Sequence, residues 1–329
     1  MPDIVNHDDP RLTWEGAHSL ETTDEYTAPW RIPFETRNLF HDSIRGGGST
    51  STGVRIRFRS NTREIAGRFE PADGDWKVDL LVDGKHAETA PIEGKDSFAF
   101  AGLSDHDKII ELWLPQGRVF RLHSLGLSDG ASLEKITDDR PLWVTYGSSI
   151  THCYYSESPL YTWPAIVARE HGLNLRNLGF SGSCHLDSLI AMLMRDTPAK
   201  YLSMCVGINI SGGSLGERTF RQAIIGFVRI VREKHPTTPF AVMSPIISRP
   251  IETGPRENGW ILTKIREEVE IAVQTLQDYG DEHVYYMNGL DIFGEKQAHL
   301  QPDDCHPYAE GDRVMGQRFL DQVAKVYFK

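Results

Sequence analysis

Apolar and polar positions alternate along residues 50–130 with the period of two that is typical of β-strands. In the clearest run, residues 54–59, Val, Ile and Phe alternate with Arg, which predicts an antiparallel strand with one buried face. Turn sequences such as Asp-Gly and Pro-Gln-Gly separate further apolar runs at residues 65–69, 76–82, 98–100, 108–114 and 119–127. Many short strands with frequent turns predict an all-β sandwich of the jelly-roll type.

Polar segments flank this β-rich region. Residues 1–40 are polar with scattered aromatic residues, and we expect an irregular arm or a few edge strands there. Three glycines at residues 46–48, followed by Ser and Thr, predict a flexible loop. Residues 129–140 have the composition of a linker. The sequence therefore predicts a first domain over residues 1–135 and a second domain over residues 141–329.

The hydrophobic period changes after the predicted linker. Strand-like apolar runs lie at residues 142–146, 173–180, 201–206, 240–247 and 283–287. Helix-like segments follow them at residues 161–171, 186–194, 219–234, 261–279 and 312–327. Strict alternation of strands and helices predicts a parallel sheet with helices on both faces, which is an α/β domain of three layers.

Composition narrows the class of protein. The chain has 329 residues, of which 40% are hydrophobic, and a formal net charge of −11 at pH 7. No cluster of Lys and Arg stands out, which argues against nucleic acid or a membrane surface as a partner. We find no secretory signal pattern and no apolar run near the ~18 residues of a membrane span. The spacing of the four cysteines predicts reduced thiols in a cytoplasmic protein, with no metal or other cofactor.

Glycines and small hydroxyl residues follow three of the predicted parallel strands. They lie at residues 147–151, 177–183 and 207–213, and a fourth polar segment, residues 303–307, precedes the last helix. Because parallel strands share one carboxyl edge, where ligands of open α/β sheets bind, we expect these segments to meet there. A Ser/Thr-rich turn that caps the next helix is the alternative interpretation of residues 147–151.

Together these segments contain the residue types that acyl transfer needs, namely a nucleophile, a base, an acid that orients the base, and donors for the oxyanion. Ser149 supplies the hydroxyl, His306 the base, and Asp303, three residues earlier, the acid. The backbone N–H groups of Ser149 and Gly182 and the side-chain amide of Asn209 are the candidate oxyanion donors.

Alternatives exist for two of these roles. Ser148 is the other candidate nucleophile of its segment, and Asp304 is the other candidate acid. A thiolate from Cys153 or Cys305 beside His306 is chemically possible, although nothing in the sequence supplies its oxyanion donors.

In order, the four segments resemble the sequence blocks of the GDSL/SGNH hydrolase superfamily: Gly-x-Ser-x-Thr, Asn-x-Gly-x-Ser-Gly, Gly-x-Asn and Asp-x-x-His. The resemblance is closest to the branch that carries an amino-terminal β-sandwich domain and reads Tyr-Gly-Ser-Ser-Ile-Thr in its first block. It implies a flavodoxin-like α/β/α domain in which Ser149, Asp303 and His306 form the triad. By the same match, Gly182 and Asn209 would line the oxyanion hole.

Two positions depart from the best-known form of that superfamily. Ser148 stands where the name-giving Asp lies, and Ile210 follows Asn209 where Asp is common. Neither position is a catalytic group in the scheme above. The departures weaken an assignment to the classical secreted lipases and lysophospholipases.

Residues 248–260 follow the fourth predicted strand and form a candidate substrate-binding loop, with an ordinary surface loop as the alternative. The residues singled out in it are Arg249, Pro250, Pro255, Arg256 and Trp260. His152 and His185 lie near the catalytic segments and are further candidates for substrate contact. The alternative for both is a surface or helix-capping histidine.

We therefore expect a cytoplasmic serine esterase or acyltransferase that acts on a small-molecule or sugar ester, with an acyl donor and a hydroxyl acceptor as partners. Its activity should fall in acid, because the scheme needs a neutral His306. The competing hypothesis is a non-catalytic carbohydrate-binding protein with an inactive hydrolase-like domain.

Overall fold

The computed structural model describes residues 3–71, 73–254 and 259–329. The chain divides into two compact units. The first comprises Met1–Asp139 together with Ser158–Leu160, and the second comprises Arg140–Glu157 together with Tyr161–Lys329.

The first unit is built almost entirely from short strands. They are β1 (Asp3–Asn6), β2 (Thr13–Glu15), β3 (Ser19–Thr22), β4 (Thr27–Trp30), β5 (Arg55–Ser60), β6 (Glu64–Phe69), β7 (Lys77–Val82), β8 (Lys85–Pro91), β9 (Ser97–Ala101), β10 (Lys108–Trp113) and β11 (Leu122–Leu127). One helix, α1 (Asp42–Gly48), and a 3-10 turn at Arg37–Leu39 interrupt them.

All strand pairs in this unit are antiparallel within its described residues. One sheet has the order β3-β4-β11-β6-β9, with β1 also paired to β11, and the other has the order β2-β5-β10-β7-β8. Apolar side chains from both sheets, such as Phe58, Leu112, Phe69 and Phe100, form a single core cluster. This arrangement is a β-sandwich, as the alternating pattern predicts.

Two local expectations for this unit were wrong, and for residues 1–40 the structure decides between the two alternatives in favour of strands. Residues 46–48 are not a loop but the last turn of α1, which begins after a His41 cap. The predicted arm contains the four strands β1–β4, because backbone pairing with β5 and β11 orders a polar sequence that has no clear period. Two of the three arginines of β5 are buried and not solvent-facing, since Arg55 is 0% and Arg57 8% exposed.

Buried charge in β5 is neutralised by acidic residues from neighbouring segments. Nε of Arg57 donates to Oε1 of Glu111 at 3.0 Å, and Nη2 of Arg55 donates to Oδ2 of Asp138 at 3.2 Å. Asp138 lies in the segment expected to be a linker, and its side chain is 1% exposed. Because an unpaired buried charge is strongly unfavourable, these pairs allow the basic face of β5 to leave solvent.

Strands and helices alternate in the second unit. Its strands are β12 (Leu142–Gly147), β13 (Asn174–Gly179), β14 (Tyr201–Cys205), β15 (Phe240–Met243) and β16 (Val284–Met287). Its helices are α2 (Ser149–His152), α3 (Trp163–Glu170), α4 (Ser188–Asp196), α5 (Glu217–Arg232), α6 (Leu262–Asp278), α7 (Gly289–Ile292), α8 (Ala309–Phe319) and α9 (Lys325–Tyr327). Short 3-10 turns lie at Ile208–Gly212, Arg249–Ile251 and Glu295–Leu300, and a π-helical turn at Leu320–Ala324 joins α8 to α9.

All five strands of the second unit are parallel, in the order β13-β12-β14-β15-β16. This flavodoxin-like order reverses direction beside β12, so the carboxyl end of β12 lies at the topological switch point where ligands of such sheets bind. The predicted fold class is confirmed. The predicted closing helix is divided, because its last turns, from Leu320 onward, widen into the π-helical segment.

Helix α8 is fixed to the sheet by aromatic packing. The ring of Phe319 stacks on Trp143 of β12 at 5.6 Å between centroids and contacts Trp163 of α3 at 4.9 Å. This packing holds the segment that precedes α8, residues 303–308, near the carboxyl edge of the sheet. In the part of the chain that the structure describes, we find no helix long and apolar enough to cross a membrane.

Candidate active site

Ser149 lies at the sharp turn that joins β12 to α2. The strand ends at Gly147, and Ser148 caps the helix, because its hydroxyl accepts a hydrogen bond from the N–H of Ile150 at 3.3 Å. Ser148 is fully buried, whereas Ser149, the first helical residue, is half-buried. Capping and candidate chemistry are therefore divided between two adjacent serines.

Ser149, His306 and Asp303 form a continuous hydrogen-bonded chain. Nε2 of His306 lies 2.8 Å from Oγ of Ser149, and Nδ1 lies 2.6 Å from Oδ2 of Asp303. Both distances lie in the range of strong hydrogen bonds. The imidazole therefore contacts a hydroxyl on one side and a carboxylate on the other, which is the arrangement that a serine nucleophile and its base require.

The turn that carries His306 holds Asp303 as a carboxylate. Its Oδ1 accepts from the backbone N–H groups of His306 at 2.8 Å and Cys305 at 3.1 Å. Partial burial alone would raise the pKa of Asp303, but the hydrogen bonds from the backbone and ring of His306 and from Cys305 together lower it. Asp304 adopts a left-handed conformation with φ of 58°, and the bond to the histidine ring comes from Asp303.

Helix α2 approaches the sheet closely because two strands end in glycine. A Cβ atom on Gly179 would overlap the backbone nitrogen of His152, and one on Gly147 would overlap Oγ1 of Thr151. Asn177 fixes the helix in this position, since its Nδ2 donates to the carbonyl of Thr151 at 2.8 Å and its Oδ1 accepts from the N–H of Gly179. Contacts between residues 147–151 and residues 177–183 therefore hold the Ser149 turn in place.

The side-chain amide of Asn209 has a defined orientation. Its Oδ1 accepts a hydrogen bond from the backbone N–H of Cys184 at 2.9 Å, which directs the Nδ2 group away from that contact. Gly182, two residues before Cys184, has φ of 69° and open space beside its Cα. Ser149 occupies the first turn of α2, where helix geometry leaves N–H groups without partners inside the helix.

The four residues proposed for substrate contact lie in different environments. His185 bonds the hydroxyl of Ser214 at 2.8 Å and lies 3.1 Å from the carbonyl of Gly182. Arg249 is exposed and forms an ion pair with Glu295 at 2.7 Å. Both remain candidates for substrate contact.

Burial changes the interpretation of the other two residues. His152 is 3% exposed and its Nδ1 lies 3.0 Å from the hydroxyl of Ser181, so its ring is buried and its contact there is with Ser181. Trp260 is 9% exposed and packs edge-on against Phe220, which makes it a core residue. Pro255 and Arg256, from the same predicted loop, lie outside the described residues.

The cysteines have the environment of packing residues. Cys153, Cys184 and Cys205 are buried, and burial raises the pKa of the Cys153 thiol well above its ordinary value and that of Cys205 to about 12. A protonated thiol is a poor nucleophile, which argues against Cys153 in that role. Cys305 is half-buried and lies next to His306 in the chain.

The sequence analysis did not single out three residues that lie near the site. Tyr155 stacks on Tyr308 and lies beside the His306 ring, and Asp312 is a buried acid of α8. The sequence signal for the tyrosines was their adjacency to the Ser149 and His306 segments. Asp312 gave no such signal, because one acidic residue in the first turn of a helix is ordinary.

Two family models match the chain. One describes the GDSL-like lipase/acylhydrolase family and matches residues 140–326, and the other describes the amino-terminal domain of SsfX3 and matches residues 12–123. The chain belongs to the GDSL-like lipase/acylhydrolase family. No curated protein matches the sequence.

Solved structures of similar proteins cover the whole chain. The salicylyl-acyltransferase SsfX3 from a tetracycline biosynthetic pathway is 33% identical, with a TM-score of 0.90 over 99% of this chain and 97% of that one. A putative GDSL-like lipase from Bacteroides ovatus is 21% identical, with a TM-score of 0.80 over 99% and 98%. A family two carbohydrate esterase from Cellvibrio japonicus is 11% identical, with a TM-score of 0.68 over 100% and 98%, and shares the fold.

Proposed function

We propose that this protein transfers an acyl group from a carboxylic ester through a covalent intermediate on Ser149. The observation that carries the proposal is the hydrogen-bonded chain from Asp303 through His306 to Ser149. Membership of a family of hydrolases and acyltransferases supports it.

In the first half-reaction, Oγ of Ser149 attacks the ester carbonyl while Nε2 of His306 takes the hydroxyl proton. The carboxylate of Asp303 stabilises the imidazolium that forms. The carbonyl oxygen becomes an oxyanion, which the N–H groups of Ser149 and Gly182 and the amide of Asn209 would stabilise. The bond to the alcohol oxygen then breaks, and His306 returns the proton to that oxygen.

In the second half-reaction, a hydroxyl compound attacks the carbonyl of the acyl-enzyme, and a second oxyanion forms beside the same donors. His306 takes the proton of the incoming hydroxyl and gives it to Oγ of Ser149 as the acyl bond breaks. Water as the attacking group gives hydrolysis, and an alcohol gives transfer. The similarity to SsfX3 over the full chain supports transfer to an alcohol acceptor.

The nucleophile can be tested with a fluorophosphonate, which a competent serine displaces at phosphorus with loss of fluoride. We expect intact-mass spectrometry to show one adduct on the wild-type chain and none on Ser149→Ala. An adduct that persists in the variant would move the nucleophile to another residue, with Ser148 as the first candidate. No adduct on either protein would favour the non-catalytic binding protein.

Two substitutions of Asn209 distinguish the donor role of its Nδ2 group from the contact of its Oδ1 with the Cys184 N–H. Asn209→Ala removes both the amide donor and the acceptor of the Cys184 N–H, whereas Asn209→Asp keeps the acceptor, removes the donor and adds a negative charge. We expect Asn209→Ala to lower kcat for p-nitrophenyl acetate about 100- to 1000-fold, the typical effect of one oxyanion donor, and Asn209→Asp to lower it at least as much. Asn209→Asp should melt near the wild-type temperature, and full activity in it would exclude the side chain as a donor.

A further inference from the structure

Two adjacent tyrosines are exposed directly beside the Ser149 turn. Tyr154 and Tyr155 follow Cys153, the residue that ends α2, and the exposed fractions of these tyrosines are 43% and 44%. Large apolar rings that are grouped on a protein surface next to a candidate active site often mark a surface that binds a ligand. Their flat, rigid faces are well suited to contact with a ring-shaped ligand.

A third tyrosine joins the group from the His306 segment. Tyr155 stacks on Tyr308 with 4.7 Å between ring centroids and 10° between planes, and its centroid lies 5.3 Å from that of the His306 ring. Tyr154 meets Tyr155 edge-on at 5.3 Å. We name Tyr154, Tyr155 and Tyr308 the tyrosine cluster. Through Tyr155, the cluster lies beside the imidazole that contacts the Ser149 hydroxyl.

Acyl-transfer chemistry assigns the two sides of such a site to the two parts of an ester. His306 must reach the alcohol oxygen to protonate it, so the alcohol part lies beside the imidazole. The carbonyl oxygen must point at the oxyanion donors near Gly182 and Asn209. Since the tyrosine cluster contacts the imidazole, it lies on the side of the alcohol.

We infer that the tyrosine cluster binds the alcohol part of the ester, and the acceptor that replaces it, and that this alcohol carries a six-membered ring with a flat apolar face. An aryl ring and the apolar face of a pyranose share this chemistry, because both pack face-on against a tyrosine ring. The inference rests on the function proposed above and adds the class of alcohol to it.

The test measures how alcohols protect Ser149 from the fluorophosphonate, so it does not depend on the unknown acyl group. Phenol and methyl β-D-glucopyranoside are the ring-bearing competitors, and ethanol is the acyclic control. We expect at least one ring compound to slow labelling of the wild-type protein and ethanol to have no such effect at equal concentration. Which ring compound protects distinguishes an aryl alcohol from a sugar.

Variants connect the protection to the cluster. Tyr155→Ala should raise the protecting concentration of the ring compound about 10-fold, in line with the loss of one stacking contact. Tyr155→Phe should retain the protection, and Tyr279→Ala, an 85% exposed tyrosine beyond α6, should behave like wild type.

Opposite results would overturn the inference. Protection by neither ring compound, or equal protection of wild type and Tyr155→Ala, would remove the cluster as a binding site. Slower labelling of Tyr155→Ala without competitor, with protection intact, would mean that Tyr155 only supports His306. Absence of labelling of the wild-type chain would instead be a failure of the proposed function.

Discussion

His306→Gln should lower kcat for ester cleavage about a million-fold, as loss of the histidine or the serine does in a protease with the same three groups. Glutamine keeps a polar side chain of similar reach but cannot accept the Ser149 proton, because its amide is not basic. The hydrogen bond of 2.8 Å from Nε2 to Oγ is the contact that would lose its chemistry. Steady-state kinetics with p-nitrophenyl acetate and the rate of fluorophosphonate labelling would both measure the loss.

His283→Gln is the matched control, since this histidine lies at the amino-terminal end of β16, whereas the candidate active site lies at the carboxyl ends of the strands. It should retain wild-type kcat. A His306→Gln variant with more than a tenth of wild-type activity would contradict the role of His306 as base and would direct attention to another proton acceptor.

Asp312→Asn should remove a dependence of stability on pH that the wild-type protein owes to one buried carboxyl group. Burial raises the pKa of Asp312 to about 8, and contacts with Ser156, Cys153 and the backbone N–H of Trp163 offset only part of that effect. Among the described residues, none donates a hydrogen bond to its Oδ2. The folded protein therefore keeps a proton that the unfolded chain releases above its ordinary pKa of 3.8.

The sign of the effect follows from that difference in bound protons. Because the folded state binds more protons between about pH 4 and pH 8, the free energy of unfolding falls with rising pH by about 1.4 kcal/mol per unit. From pH 5 to pH 8 the difference between wild type and Asp312→Asn should therefore change by ~4 kcal/mol, in favour of the variant at high pH. Urea unfolding of both proteins at pH 5, 6, 7 and 8 measures it.

Other groups titrate in both proteins, so the difference isolates Asp312. Parallel stability curves would contradict the raised pKa. Ionisation of Asp312 also bears on the candidate active site. Asp312 lies in α8, which follows the His306 segment, and it contacts Cys153, which ends the Ser149 helix. Loss of the proton near pH 8 would place a charge between the two segments that carry the proposed nucleophile and base.

The sequence alone was sufficient for the strands and the main helices of the second unit and for the four segments of the candidate site. Strand runs such as residues 142–146 have an unbroken apolar pattern, and the helices between them have the period of 3.6, so local periodicity determines both. The contact between Asp303 and His306 is also local, since three residues and one turn separate them. Parallel strand topology then brings Ser149 to the same edge.

Local pattern failed where long-range contacts decided the environment of a side chain. Arg55 alternates with apolar residues like any exposed strand residue, yet Asp138, 83 positions away, pairs with it and allows its burial. His152 and Trp260 are candidates for substrate contact in the sequence, and the fold buries both, with His152 beside Ser181 and Trp260 against Phe220. No periodicity encodes these partners.

The sequence by itself determined the fold class and the candidate residues for acyl transfer, because strand and helix periods and the Asp-x-x-His turn are properties of short segments. Only the tertiary structure decided which side chains surround those residues. Tyr155 meets Tyr308 and His306 across some 150 positions, and Asp312 becomes a neutral acid only because the fold buries it. The stacking of Tyr155 and the desolvation of Asp312 depend on which residues lie close to them in space. The packing of α8 on β12 and α3 determines those neighbours.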